Sequence, residues 1–262
     1  ISDITAWCNI DFTFSSSNPT YLSKNLYLNG EPIVNLVIPA EVTEIKPYAF
    51  YNCDTLESVT VLGTLDKIGE QAFAGCDNLA SIDLGIGCGD IDSTAFSSTK
   101  LYNDETNWDN GVLYLNNVLV KAKTTLAGDY VVKDGTTVIS GSAFKNCTSV
   151  TSISMPDTVK TIGEEAFYGC SALKTIELSD NLETLGAKAF YTCSNLTSVS
   201  IPNGVKVIDT QTFYECNSLT EVSLGTNVES IGASAFYWCT QLKSINIPTS
   251  VKQIGNSAFY LC

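Results

Sequence analysis

The chain has 262 residues, is 44% hydrophobic and carries a net charge of −14 with a pI near 4.2; it contains neither His nor Arg. Counterion release and bidentate phosphate or base contacts need basic clusters, usually with Arg, so nucleic acid is not a fitting partner. Missing His removes Ser-His-Asp and Cys-His nucleophilic schemes along with the commonest metal ligand, and no apolar run reaches the roughly eighteen residues of a membrane-spanning helix.

Residues 1–32 are irregular and hold Trp7, Phe12, Phe14, Tyr21 and Tyr27. They read as a cap whose aromatics pack onto Ile33, Leu36 and Ile38, with a binding role for those rings as the alternative. The chain opens without Met, its single Met being Met155, so it reads as a mature or trimmed fragment of a protein expected to continue past Cys262.

From residue 33 a 23-residue unit repeats, most plainly in Leu173–Asn195 and the stretch after it. Phe50, Phe73, Phe96, Phe144, Phe167, Phe190, Phe213, Phe236 and Phe259 fall 23 apart, except for a gap of 48 between Phe96 and Phe144. Such periodicity predicts a solenoid over 33–262, in which stacked coils bury a core together. With strands repeating at about 4.8 Å, nine or ten coils form a single rod or shallow arc of about 45 to 50 Å.

Within each coil, a segment such as Val199-Ser200-Ile201 alternates inward and outward as a short strand, and a second short extended segment follows. Gly at 69, 163, 186, 232 and 255, or Asp at 92 and 209, then suits a left-handed turn. The run through the repeat Phe to Cys, with apolar residues three apart, is expected to close the coil as one helical turn. Outward strand positions such as Ser152, Thr175, Glu177, Ser198 and Glu221 make a polar face, either solvated or a flat surface for a protein or glycan.

Tyr follows the repeat Phe at 51, 168, 191, 214, 237 and 260. Tyr168, Tyr191, Tyr214, Tyr237 and Tyr260, with Trp238, are the candidate binding stripe, because Tyr offers rigid area with a hydrogen-bonding tip. Partly buried outer packing is the other reading. Pro156, Pro202 and Pro248 alternate with Ser179 and Gly225, a two-coil period that speaks of duplication and of no chemistry.

An insertion at about 97–130 contains two apolar runs around Asn116-Asn117, the pattern of a β-hairpin. Trp108, in an acidic loop before it, is a further candidate binding residue. Asp104, Glu105 and Asp109 do not have the spacing of an EF-hand loop.

Cys53, Cys76, Cys147, Cys170, Cys193, Cys216, Cys239 and Cys262 share one position, three residues after the repeat Phe. Parallel Cα–Cβ vectors in a stacked ladder do not suit disulfides, so these are expected to be reduced core thiols, forming with the Phe column the structural core. Cys88 stands where other coils have Val or Leu, and Cys8 has no assigned place. No CxxC or Cys/His spacing supports a metal, and no Gly-rich phosphate loop supports a nucleotide. Glu164, Glu165, Glu177 and Glu221 read as solvated, so no catalytic residue, metal or cofactor is assigned.

The units ending LTSVSIPNGVKVIDTQTFYEC and LKSINIPTSVKQIGNSAFYLC resemble the BspA-like leucine-rich-repeat family over roughly 33–262, and NWDNGVLYLNNVLVKAK resembles its hairpin insertions. Thr99 in place of the repeat Cys and Thr212 in place of the repeat Ala are local departures. The resemblance implies an α/β-class, right-handed leucine-rich-repeat solenoid with a parallel β-ladder and short helical turns. It also implies a secreted or cell-surface bacterial protein acting in adhesion or protein binding; with the residue reading above, the expected function is a non-catalytic, monomeric module for a protein or glycan ligand. A structural spacer in a larger cell-wall protein is the competing role.

Overall fold

The computed structural model describes residues 1–85 and 87–262, and the chain divides into two compact units, Ile1–Val120 and Lys121–Cys262. Both are β-solenoid segments whose coils stack in a register of 23 residues. In the first unit Asn35–Ile38 pairs parallel with Ser58–Val61, Leu36 opposite Val59, and that strand pairs with Ser81–Asp83. In the second, Ala127–Val131, Ser149–Ser154 and Thr175–Glu177 form one parallel ladder, while Val138–Ile139, Thr161–Ile162 and Thr184–Leu185 form another. Inward residues such as Ile153 and Ile162 are buried, as period-two alternation requires.

The repeat Phe rings stack at 5.2 Å between Phe167, Phe190 and Phe213, within the range favoured by offset aromatic pairs. Beside them the repeat thiols are free, and all but Cys262 are buried. Cys76, Cys170, Cys193, Cys216, Cys239 and Cys262 each donate to the Phe carbonyl of the preceding coil, as Cys193 Sγ does to Phe167 O at 3.1 Å and Cys216 Sγ to Phe190 O at 3.2 Å, whereas Cys147 Sγ, after the insertion, donates to Lys123 O. Burial pushes the Cys239 thiol up to about 12, so these are inert packing groups and weak donors. Cys262 is exposed, and its Sγ donates to Phe236 O at 3.1 Å. Thr99, in the same position, breaks the pattern: its hydroxyl donates within its own coil, to Phe96 O at 2.7 Å. Cys8 lies buried in the helix Ile4–Cys8.

The third side of each coil is not the expected helical turn. N–H groups along it point alternately along the stack and back into their own coil. Glu165, Phe167 and Gly169 donate to Ala187, Ala189 and Tyr191 of the next coil at 2.9, 2.8 and 2.8 Å, whereas Ala166, Tyr168 and Cys170 close local turns. Glu165 and Gly169 therefore have positive φ, and so do their counterparts Lys188, Thr192, Gln211, Glu215, Ser234 and Trp238. A helical turn would send all of its N–H groups along its own axis and leave the coil unzipped on this side.

The left-handed conformation is thus two residues away on either side of the repeat Phe, and not at the glycines of the preceding turn. Gly163, Gly186, Gly232 and Gly255 are absent from the positive-φ residues. They are glycines because coils approach too closely for a side chain: a Cβ on Gly186 would lie 2.5 Å from Glu164 N. Thr192, by contrast, holds φ at 53° with a β-branched side chain. Thr192→Gly, the residue used at Gly75 and Gly169, is expected to raise stability by about 1 kcal/mol, the left-handed penalty less glycine's entropy cost. Denaturant unfolding at unchanged slope checks it.

Residues 1–32 supply what a preceding coil would otherwise supply. Trp7 Nε1 donates to Ala49 O at 2.7 Å, Asn18 Nδ2 to Tyr48 O at 2.7 Å, and Thr20 Oγ1 to Tyr51 O. Trp7 and Phe12 are buried, but Phe14, Tyr21 and Tyr27 are exposed. The segment works mainly by side-chain hydrogen bonds to the unpaired carbonyl edge, so three of its five aromatics are not needed as cover.

Within the same unit, Val112–Leu115 pairs antiparallel with Trp108–Asp109, Trp108 opposite Leu113. On its other side, after the turn with Asn116 at φ 51°, lies the strand that begins at Val118. Among the described residues no helix is long and apolar enough to cross a membrane.

Candidate functional site

The outward residue after each Phe is carried on the turn just described, so its spacing is that of the coils. Tyr168, Tyr191, Tyr214, Tyr237 and Tyr260 therefore form one column of rings, stacked at 4.7, 4.6, 4.8 and 5.1 Å. The first three pairs are within 3° of parallel. The rings from Tyr168 to Tyr237 are half-buried and Tyr260 is exposed. Burial first, then neighbouring phenols and the Glu215 carboxylate, hold the Tyr191 hydroxyl above the ordinary phenol range.

The column begins with a cation. Lys145 stands where later coils have Tyr, and its Nζ lies 4.8 Å from the centroid of the Tyr168 ring, a cation–π distance. Lys145 also reaches Glu165 Oε2 at 2.6 Å, and Lys188 reaches Glu165 Oε1 at 3.3 Å. Burial alone would raise the Glu165 carboxyl; the two lysines outweigh it and hold the group below the usual carboxylate range. Glu165 is therefore an engaged ionic residue and not the solvated one the sequence suggests. Glu177 and Glu221, on the strand face, are exposed as expected.

At the other end Trp238 is 45% exposed, with its ring edge-on to Tyr237 at 6.3 Å. Tyr237, Trp238 and Tyr260 are thus brought together in the second unit. Trp108 belongs to the first unit and is half-buried in a short strand. Its Nε1 donates to Tyr102 O at 2.8 Å and its ring meets Tyr102 edge-on at 5.0 Å. These are local packing contacts. Tyr51 is likewise taken up by its neighbours, stacked on Tyr21 at 6.0 Å, and Ala74 and Ser97 interrupt its column.

Immediately before the second short strand of each coil, Lys160, Glu183, Lys206, Glu229 and Lys252 occupy successive rungs. Lys160 pairs with Glu183 at 3.2 Å and Lys252 with Glu229 at 2.7 Å. The lysines stand in the coils that carry Pro156, Pro202 and Pro248, so the two-coil period has a chemical consequence after all. Identical coils would set like charges on adjacent rungs, which is destabilising; alternation replaces this with attraction. Each exposed pair contributes at most about 1 kcal/mol.

Among the described residues no group of three His, Cys, Asp or Glu is placed to hold a metal. Asp104 Oδ1 accepts from the backbone N and the hydroxyl of Thr106, which with burial opposing holds its carboxyl low. It serves its own turn.

Several solved structures are similar to this chain. A leucine rich cell surface protein from Faecalibacterium prausnitzii A2-165 is 24% identical, with 87% of this chain and 80% of that one covered and a TM-score of 0.49. A leucine-rich repeat protein from Eubacterium ventriosum ATCC 27560 is 20% identical over 96% and 87%, also with a TM-score of 0.49. The T. pallidum Leucine Rich Repeat protein is 25% identical over 81% and 79%, with a TM-score of 0.41. Comparison with curated proteins finds no match. The profile described as BspA type Leucine rich repeat region matches in six copies, over residues 6–117 and 137–262. With its 23-residue coils and its Phe and Cys columns, the chain belongs to the BspA-type leucine-rich-repeat family.

Proposed function

We propose that the chain is a non-catalytic, extracellular protein-binding module of a bacterial surface protein, and that it binds through the tyrosine column of its second unit. The observation that carries this is the unbroken run of rings from Tyr168 to Tyr260, ending at exposed Trp238. Rigid rings with polar tips give contact area at low entropic cost. Family membership favours the surface location and a binding or scaffolding role.

Of the two ligand classes, the ring geometry favours protein. A sugar stacks on an open aromatic face, but here the faces of Tyr191, Tyr214, Tyr237 and Tyr260 cover one another at 4.6 to 5.1 Å. What points outward is edges and hydroxyls, which suit the mixed apolar and hydrogen-bonding groups of a polypeptide. The test is binding of the purified chain to a panel of matrix proteins, mucins and glycans at physiological salt. Beside it is run a variant with Tyr168, Tyr191, Tyr214 and Tyr237 changed to Ser. Saturable protein binding, lost in the still-folded variant, is the expected result. Binding that survives the changes would remove the column as the site. No binding across the panel would favour a stiff spacer.

A further inference from the structure

Glu215 and Trp238 occupy adjacent rungs of one column, two residues beyond the repeat Phe, and are tied by the ladder itself: Glu215 N donates to Tyr237 O at 2.8 Å and Trp238 N to Tyr260 O at 2.8 Å. Both have positive φ, 56° and 62°. Four other rungs of this column hold residues suited to that conformation, Asn52, Gly75, Asn146 and Gly169, while Ser98, Thr192 and Leu261 share the strain. A tryptophan here is strained and also exposed, so folding gains little from it. Glu215 is half-buried, yet no cation of the described chain pairs with it.

The start of the same stack shows what completes such a site. There, in a different arrangement, a half-buried carboxylate two residues before its Phe, Glu165, and an aromatic face one residue after it, Tyr168, share one ammonium, that of Lys145. At the Glu215 and Trp238 end the carboxylate and the aromatic ring are present and the cation is not. We infer that Glu215 and Trp238 form a receptor for a lysine or arginine side chain of a basic polypeptide partner, the cation lying against the indole and paired with the carboxylate. Such a pairing is stronger once partly desolvated. The chain's net charge of −14 would speed the approach of a basic segment.

The inference rests on the protein-binding reading of this face and names its partner's chemistry. The probe is an end-blocked peptide of alternating arginine and glycine, titrated into the full chain at about 0.15 M salt, with a citrulline peptide as its neutral counterpart. Trp238→Asn, which installs the residue found at Asn52 and Asn146, and Glu215→Gln are each expected to weaken arginine-peptide binding by about tenfold. Glu177→Gln, an exposed carboxylate on the strand face, should change it less than twofold. Equal weakening by Glu177→Gln would mean only diffuse attraction to an acidic protein. Undiminished binding to Trp238→Asn, equal binding of the citrulline peptide, or no binding of the arginine peptide would each overturn the inference. The tyrosine-column panel is read separately from all of these, so a protein ligand lost with the four tyrosines but indifferent to Trp238 would leave the broader reading standing without this receptor.

Discussion

Phe190→Ala is expected to lower unfolding free energy by about 3 to 5 kcal/mol, and Tyr191→Ala by clearly less. Phe190 is fully buried, with Phe167 and Phe213 stacked on its two faces at 5.2 Å, so truncation leaves a cavity that rigid neighbouring coils cannot fill. Tyr191 also loses two stacked neighbours, at 4.7 and 4.6 Å, but its ring already meets solvent at the edge. Two aromatic pairs contribute about 0.5 to 1.5 kcal/mol each to that loss, to which the half-buried ring adds less burial than Phe190 does. Denaturant unfolding of both variants decides the matter. Equal losses would make the tyrosine column part of the core and would remove the basis for treating it as a recognition surface.

Gly186→Ala is expected to cost about 2 to 3 kcal/mol, a large effect for one methyl group. The added Cβ would sit 2.5 Å from Glu164 N and 2.6 Å from Gly163 C, and both are backbone atoms held by the ladder. Gly186 N itself donates to Ile162 O at 2.9 Å, so moving the coil away stretches a hydrogen bond. The informative control is Asp209→Ala on the next rung. That coil already accommodates a Cβ, so the change should cost only what the Asp209 side chain contributes by accepting from Thr210 N at 2.6 Å, about 1 kcal/mol. If both substitutions were equally mild, coil spacing would be adaptable and the glycine column would need another explanation.

Much of this molecule is legible in its residues, because a solenoid is held by contacts between identical positions of successive coils. A residue type needed at one rung is needed at every rung, so the Phe and Cys columns announce both the period and the core. Burial of free thiols could likewise be expected from parallel side-chain vectors. The alternating lysines and glutamates were equally present in the sequence, and were missed because the two-coil period was followed only through the prolines. The helical turn was misread because apolar residues three apart suit a helix and a zipped turn equally.

The sequence alone determined the 23-residue register and the inward columns, which follow from periodic burial, and the resemblance of its units pointed to the family that the profile match shows. The tertiary structure decided what depends on backbone direction and on distances between coils. It moved the left-handed residues to positions such as Glu165, Lys188 and Gln211, where side-chain type gives no warning. It explained Gly186 by crowding and showed that stacking covers the tyrosine faces. It also set the half-buried carboxylate of Glu215 on the rung beside exposed Trp238 without an internal cation. These features arise where one coil lies on another, and so they are absent from any single repeat read by itself.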